Sequence, residues 1–144
     1  MEVQFNFNND HSAKPIHVKR LVSKLLSQFQ PIAVRSSSFI LNDVPDDFYV
    51  HTNKEMLTTI ISSLLTAVIR KSVNSCIRVN IKRYNNIVLF RLSHSNAKVR
   101  VTTDVHWHKV NAMAAKLDGC IIEDTIRKTH ATITLSFPCL ANAA

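Results

Sequence analysis

The chain has 144 residues, 46% of them hydrophobic and 19% charged, and it carries a formal net charge of +8. This length suits a single domain with its own core, and the apolar fraction excludes a disordered chain. No apolar run approaches the about 20 residues of a membrane span, and the N-terminus lacks the basic-then-apolar pattern of a secretory signal. The three cysteines have no metal-type spacing and fit reduced thiols. The sequence therefore predicts a cytoplasmic domain with no membrane partner.

The positive charge raises the possibility of an anionic partner, nucleic acid included. The cations are nevertheless dispersed, in runs no longer than a pair such as Arg70-Lys71. Neither a recognition-helix nor a zinc-finger pattern accompanies them. We therefore expect a solvated basic surface rather than a nucleic-acid site, and acidic protein surfaces are equally suitable partners.

Glycine is nearly absent from this chain. Average composition would supply about ten glycines in this length, whereas the sequence contains only Gly119. A backbone that cradles phosphate needs glycine for close approach and for positive φ. The composition therefore disfavours a glycine-rich phosphate loop.

The first third of the chain predicts a strand, a helix and two short extended segments. Residues 2–8 alternate between apolar and polar side chains, which is typical of a half-buried strand. Pro15-Ile16-His17 begins a predicted helix that ends before Pro31. Residues 38–42 and 48–51 predict extended segments on either side of a proline turn. The apolar stripe of the helix consists of Val18, Leu21, Val22, Leu25, Leu26 and Phe29.

The most regular pattern predicts a central helix over residues 53–71. Thr52 or Asn53 can cap its start, and Glu55 suits the positive end of the helix dipole. Its polar face, where we expect any chemistry, carries Ser63, Thr66, Ala67 and Arg70. Its apolar stripe, at steps of three and four, consists of Leu57, Ile60, Ile61, Leu64, Leu65 and Val68.

A hairpin is predicted directly after the central helix. Residues 75–83 and 87–92 alternate as strands around the turn Tyr84-Asn85-Asn86. Residues 93–103 are polar and predict a loop. The second strand presents Val88, Phe90 and Leu92 on one face.

The last part of the chain predicts a third helix and a second hairpin. Asp104 is positioned to cap a helix that extends through Leu117. Gly119 is positioned to end this helix in the left-handed conformation. Residues 120–125 and 131–137 then read as two strands. We therefore expect one α/β (α+β) two-layer sandwich over residues 1–144, in which three helices cover one face of a mixed, mostly antiparallel sheet.

Two segments of this pattern resemble the ATPase domain of bacterial sensor histidine kinases. FILNDVPDDFYVHTNKEMLTTIISSLLTAVIRKS resembles that family's proline turn, strand and N-box helix, and KLDGCIIEDTIRKTHATITLSFP resembles its closing helix end and hairpin. The resemblance covers about residues 15–138. It implies the Bergerat (GHKL) fold, which is shared with gyrase, a heat-shock chaperone family and MutL proteins.

The family's N-box helix supplies two asparagines, four residues apart, that coordinate magnesium and phosphate. These positions fall on Ser63 and Ala67. Magnesium requires hard oxygen ligands, which alanine cannot provide. The family's next phosphate-contacting cation falls on Arg70, where a cation at a helix C-terminus also has an ordinary structural explanation.

The family's aspartate-x-glycine-x-glycine motif falls on His94, Asn96 and Lys98. Its aspartate accepts a hydrogen bond from the adenine amino group, whereas histidine accepts only when it is neutral and in one tautomer. Asn96 and Lys98 place side chains where the ligand needs bare backbone. The motif is therefore absent.

The family's second glycine motif falls on Asp104-Val105-His106-Trp107, and its carboxylate would repel phosphate. Only residues 100–103 lie where the family's mobile lid is expected. The resemblance therefore implies a nucleotide site that has lost four features.

Other constellations allow other chemistry. His106 and His108 could contribute to a zinc site, although structural and catalytic zinc needs three or four ligands. Cys76 and Cys120 could act as nucleophiles, but strand positions favour buried thiols. A phosphoacceptor role for His11 or His17 is disfavoured, because neither has the helical context of the family's phosphorylated histidine.

The sequence therefore favours a degenerate, pseudokinase-like ATPase fold. We expect no catalytic residue and no cofactor, and a protein partner in two-component signalling: a sensor kinase, a response regulator or a regulatory factor. The alternative is an ATP-binding kinase or phosphotransfer domain, which would use ATP and magnesium in an atypical pocket around Arg70, His94 and Lys98.

Overall fold

The computed structural model describes residues 14–95, 107–127 and 130–139. The strand predicted at residues 2–8 lies outside them. In chain order the elements are β1 (Ile16–His17), α1 (Val18–Arg35), β2 (Phe39–Asn42), β3 (Tyr49–Val50), α2 (Lys54–Lys71), β4 (Cys76–Tyr84), β5 (Ile87–His94), α3 (Trp107–Lys116), β6 (Cys120–Arg127) and β7 (His130–Pro138).

Five strands form the main sheet, in the order β2-β4-β5-β7-β6. β2 and β4 run parallel, and the other three neighbouring pairs are antiparallel. The helices lie side by side in the order α1-α2-α3, with α1 against β2 and α3 against β6. The predicted sandwich of three helices and a mixed, mostly antiparallel sheet is confirmed. Among the described helices, none has the length and hydropathy that crossing a membrane requires.

Helix α2 lies at the centre of the core, as its periodicity predicts. Every residue of its apolar stripe is at most 1% exposed. The stripe packs in one core cluster with alternate residues of the sheet, including Ile77, Phe90 and Leu135. Asn53 caps the helix, and its side-chain oxygen accepts the backbone N–H of Met56 at 2.9 Å.

Both predicted ends of the first helix are wrong. Ile16 and His17 form the short strand β1, which pairs with β3, and α1 begins only at Val18. A ladder of two residues is too short to produce an alternating pattern, so the sequence shows no strand there.

Helix α1 also continues through Pro31 to Arg35. Proline inside a helix removes one backbone hydrogen bond, but tertiary contacts hold the turn that follows it. Ala33 is fully buried, and the Gln30 amide bonds both the N–H of Ile40 at 2.9 Å and its carbonyl at 3.1 Å. These contacts with β2 outweigh the local preference.

Gly119 does not end α3 in the left-handed conformation. Asp118 occupies that region instead, with a φ of 60°. Gly119 is required for space, since a Cβ there would lie 2.1 Å from the backbone oxygen of Ser136. Ser37, Asn74 and Asn85 are the other described residues with positive φ, so this glycine-poor chain uses polar residues where glycine is usual.

Candidate functional site

The positions that match the family's N-box lie on one face of α2 but differ in exposure. Ser63 is half-buried, Ala67 is only 5% exposed and belongs to the core cluster, and Arg70 is exposed. The Thr66 hydroxyl donates to the carbonyl of Ser62 at 2.8 Å, so the helix itself uses it. At this face Ala67 offers no oxygen ligand, and Arg70 is the exposed charged group.

His94 is the last residue of β5 and lies between Ile77 of β4 and Ala131 of β7 in the sheet register. It is 1% exposed, in the same alternating set as Phe90 and Leu92. The imidazole therefore faces the helix layer at the end of the strand, where the family's adenine-binding aspartate would stand. Asn96 and Lys98 lie outside the described residues.

The start of α3 is described only from Trp107. Its side chain is half-buried and packs against the core, whereas His108 is exposed. Residues 100–106, which include the lid positions, Asp104 and His106, lie outside the described part of the chain.

Within residues 14–95, 107–127 and 130–139, no three His, Cys, Asp or Glu side chains come together as a metal site. Cys76 is half-buried, but Cys120 is exposed, so the expectation of a buried thiol there is wrong. The Sγ of Cys120 lies 3.3 Å from the Oγ of Ser136, which is not a base. Cys139 is buried and accepts the backbone N–H of His51 at 3.3 Å, which fastens the end of β7 to the segment before α2.

Both ring nitrogens of His17 make hydrogen bonds within the fold. It caps α1, with Nδ1 accepting the backbone N–H of Arg20 at 3.1 Å. The ring proton therefore lies on Nε2, which donates to the carbonyl of Asp46 at 2.5 Å. His11 lies outside the described residues.

A cleft that sequence analysis missed lies between α1, the β1–β3 ladder and the start of α2. Its volume is about 980 Å³. Its α1 wall carries Arg20, Lys24 and Gln28, and its α2 wall carries Lys54 and Glu55. The spacing of Arg20, Lys24 and Gln28 by four residues on the polar face of α1 is the sequence signal that could have indicated it.

The chain resembles known proteins in its fold but not in its sequence. No family model and no curated protein matches this chain. Solved structures do match: histidine kinase AdeS of Acinetobacter baumannii has a TM-score of 0.77 at 13% identity, over 88% of this chain and 67% of that one. The chain has the fold of a histidine kinase catalytic domain.

Two further kinases agree with this assignment. The catalytic domain of histidine kinase ThkA has a TM-score of 0.75 at 11% identity, over 88% of this chain and 95% of that one. ThkA in complex with the response regulator protein TrrA also matches, with a TM-score of 0.71 at 10% identity, over 91% of this chain and 43% of that one. Full-length ShkA in complex with AMPPNP has a TM-score of 0.73 at 12% identity, over 88% of this chain and 31% of that one. At these identities the likeness concerns the fold alone.

Proposed function

We propose that this protein is a non-catalytic, degenerate histidine-kinase-like ATPase domain that acts through protein contacts in bacterial cytoplasmic signal transduction. The observation that carries the proposal is the burial of Ala67 in the apolar core, at the position of the family's second N-box asparagine. A methyl group there supplies no ligand for magnesium, and the metal neutralises the phosphates in this class of site.

His94 supports the same proposal. A carboxylate at its position would accept a hydrogen bond from the adenine amino group through either oxygen, whereas a neutral imidazole has one donor nitrogen and one acceptor nitrogen. The residue is almost fully buried between strands β4 and β7. Recognition of the adenine amino group would therefore depend on a single acceptor nitrogen, in one tautomer of the ring.

The partner that we propose is another signalling protein: a sensor kinase, a response regulator or a regulatory factor. The match to ThkA in complex with TrrA shows that a protein of this fold takes part in such an assembly. We extend this class of partner to the present chain by analogy of fold.

One observation favours a second function, ATP binding in an atypical pocket. Arg70 is exposed in the last turn of α2, at the place of the family's phosphate-contacting cation. An arginine can hold phosphate without a metal, through paired hydrogen bonds. Under this alternative, Arg70, His94 and Lys98 would replace the lost motifs.

Thermal unfolding with millimolar ATP and magnesium separates the two functions. A ligand at a hundred times its dissociation constant adds about 2.7 kcal/mol to the free energy of unfolding, so binding would raise the melting temperature clearly. We expect no shift. ShkA, which was solved with AMPPNP, serves as the positive control, and an upward shift for this chain would overturn the proposal.

A further inference from the structure

The cleft between α1, the β1–β3 ladder and the start of α2 concentrates positive charge. Its lining includes Lys14, Arg20, Lys24 and Lys54, against a single carboxylate, Glu55. We call this feature the cationic cleft.

Among the residues that the structure describes, the four cations of the cleft have no carboxylate partner, unlike other cations nearby. In the part of the chain that the structure describes, Lys19 pairs with Asp46 at 3.4 Å and Arg78 pairs with Asp43 at 2.6 Å. No such pair is formed there by the four cations of the cleft. Their charges are therefore available to an anionic partner.

The cleft also presents apolar surface. Tyr49 is 47% exposed, and its ring meets the edge of His17 at a centroid distance of 4.9 Å. Ile16, Leu21 and Leu25 also line the cleft, but each is only 5–8% exposed, so Tyr49 supplies most of the apolar surface among these residues. An exposed aromatic ring with a polar hydroxyl is typical of surfaces that bind proteins.

The spacing of the cations indicates the form of the partner. Arg20 and Lys24 lie four residues apart, which is about 6 Å along α1, and the neutral amide of Gln28 follows at the same step. Carboxylates spaced by four residues on a second helix repeat at the same distance. A second copy of this chain is disfavoured as the partner, because each copy carries a net charge of +8.

We propose that the cationic cleft is the docking surface for an acidic amphipathic helix of a protein partner. Its carboxylates would face Arg20 and Lys24, and an apolar side chain would pack on Tyr49. This inference rests on the proposed function and deepens it, because it names the surface and the chemistry of the partner.

The test uses the full chain and a synthetic amphipathic helix of about 18 residues, long enough to populate a helix in water. The peptide carries leucines at helical spacing along one face and glutamates four residues apart on the strip directly beside it, so that both can reach the cleft. Peptide is added to isotopically labelled protein, without nucleotide, and amide chemical shifts and the dissociation constant are measured. We expect the shifts to be confined to residues around the cleft, such as Lys24, Tyr49 and Thr52, and the affinity to fall as salt is raised.

Charge reversal locates the site. We expect Arg20→Glu with Lys24→Glu to weaken binding about tenfold, or ~1.4 kcal/mol. The matched control, Lys82→Glu with Lys109→Glu, makes the same change in net charge at exposed residues outside the cleft and should change the affinity less than about twofold. Should the first pair unfold the protein, Lys24→Glu with Lys54→Glu tests the same surface from both walls.

Three outcomes would overturn the inference. The first is the absence of chemical-shift changes around the cleft, and the second is an equal loss of affinity in the cleft and control pairs. The third is equal affinity for a peptide whose leucines are replaced by serine, or chemical-shift changes of the same residues on addition of inorganic phosphate. Either result would make the cleft a simple anion site. Since no nucleotide is present, these failures are distinct from an ATP-induced rise in melting temperature, which would overturn the proposed function instead.

Discussion

The apolar face of α2 follows the kinase pattern, whereas its polar face departs from it. On one face, Leu57, Ile61 and Leu64 are at most 1% exposed and pack in the core cluster that the fold requires. On the other face lie Ser63 and Ala67, which the resemblance aligns with two asparagines of the family's nucleotide site. One face of the helix therefore packs as the fold requires, and at the aligned positions of the other face the sequence has no asparagine.

The difference follows from what each face must supply. A core needs apolar side chains of suitable volume, and many sequences meet that requirement. A nucleotide site needs particular oxygen or nitrogen atoms at particular positions, so one change to alanine removes a ligand. A fold can thus persist at 13% identity or less to known kinases, while its chemistry has to be judged residue by residue.

The largest expected effect comes from breaking the packed face. Leu64→Ala should lower the free energy of unfolding by about 2–5 kcal/mol, because it leaves a cavity in the middle of the core. Val73→Ala is the control, since Val73 is 61% exposed and should cost no more than about 0.5 kcal/mol. Chemical denaturation measures both, and similar small losses would mean that the packed face is misassigned.

A smaller effect is expected from restoring the family residue at the other face. Ala67→Asn should cost about 1–3 kcal/mol, because the amide enters a site that is 5% exposed and packed among apolar residues. Ser63→Asn is the matched control at a half-buried position, and we expect it to cost less. Urea unfolding measures both variants.

The double variant Ser63→Asn with Ala67→Asn tests both N-box positions together. We expect it to show no ATP-dependent rise in melting temperature. His94, Asn96 and Lys98 would still occupy the positions aligned with the family's aspartate and glycines. A clear rise would show that only the two asparagines separate this chain from a nucleotide binder.

The smallest effect is expected at Arg70. Arg70→Ala should change the free energy of unfolding by about 0.5 kcal/mol, because the side chain is exposed and contributes mainly through the helix dipole. Thermal unfolding with and without ATP measures the change. If the wild-type protein is stabilised by ATP and this variant is not, Arg70 binds phosphate and the alternative function is correct.

Much of the fold was predictable because it depends on short-range periodicity. Steps of three and four residues predicted α2, and alternation predicted the hairpins that became β4–β5 and β6–β7. Asn53 was one of two predicted caps, and its side chain makes the capping bond. These features depend on which side chains share a face, and that is a property of local order in the chain.

Tertiary contacts decided the features that local rules predicted wrongly. The contacts of Gln30 and Ala33 carry α1 past Pro31, and the backbone of Ser136 leaves room only for glycine at position 119. The left-handed position falls on Asp118 instead. In each case a partner distant in sequence outweighed a preference of about 1–3 kcal/mol.

The order of residues alone predicted the sandwich of three helices and a mixed sheet, and the resemblance aligned Ser63, Ala67 and His94 with the family's nucleotide motifs. Only the tertiary structure decided that Ala67 lies in the core, that His94 is buried, and that Arg20 and Lys54 line one cleft. The physical reason is that burial and charge clustering depend on which elements meet in space. Periodicity places a residue on a face of its own element, and the neighbouring elements decide what that face contacts.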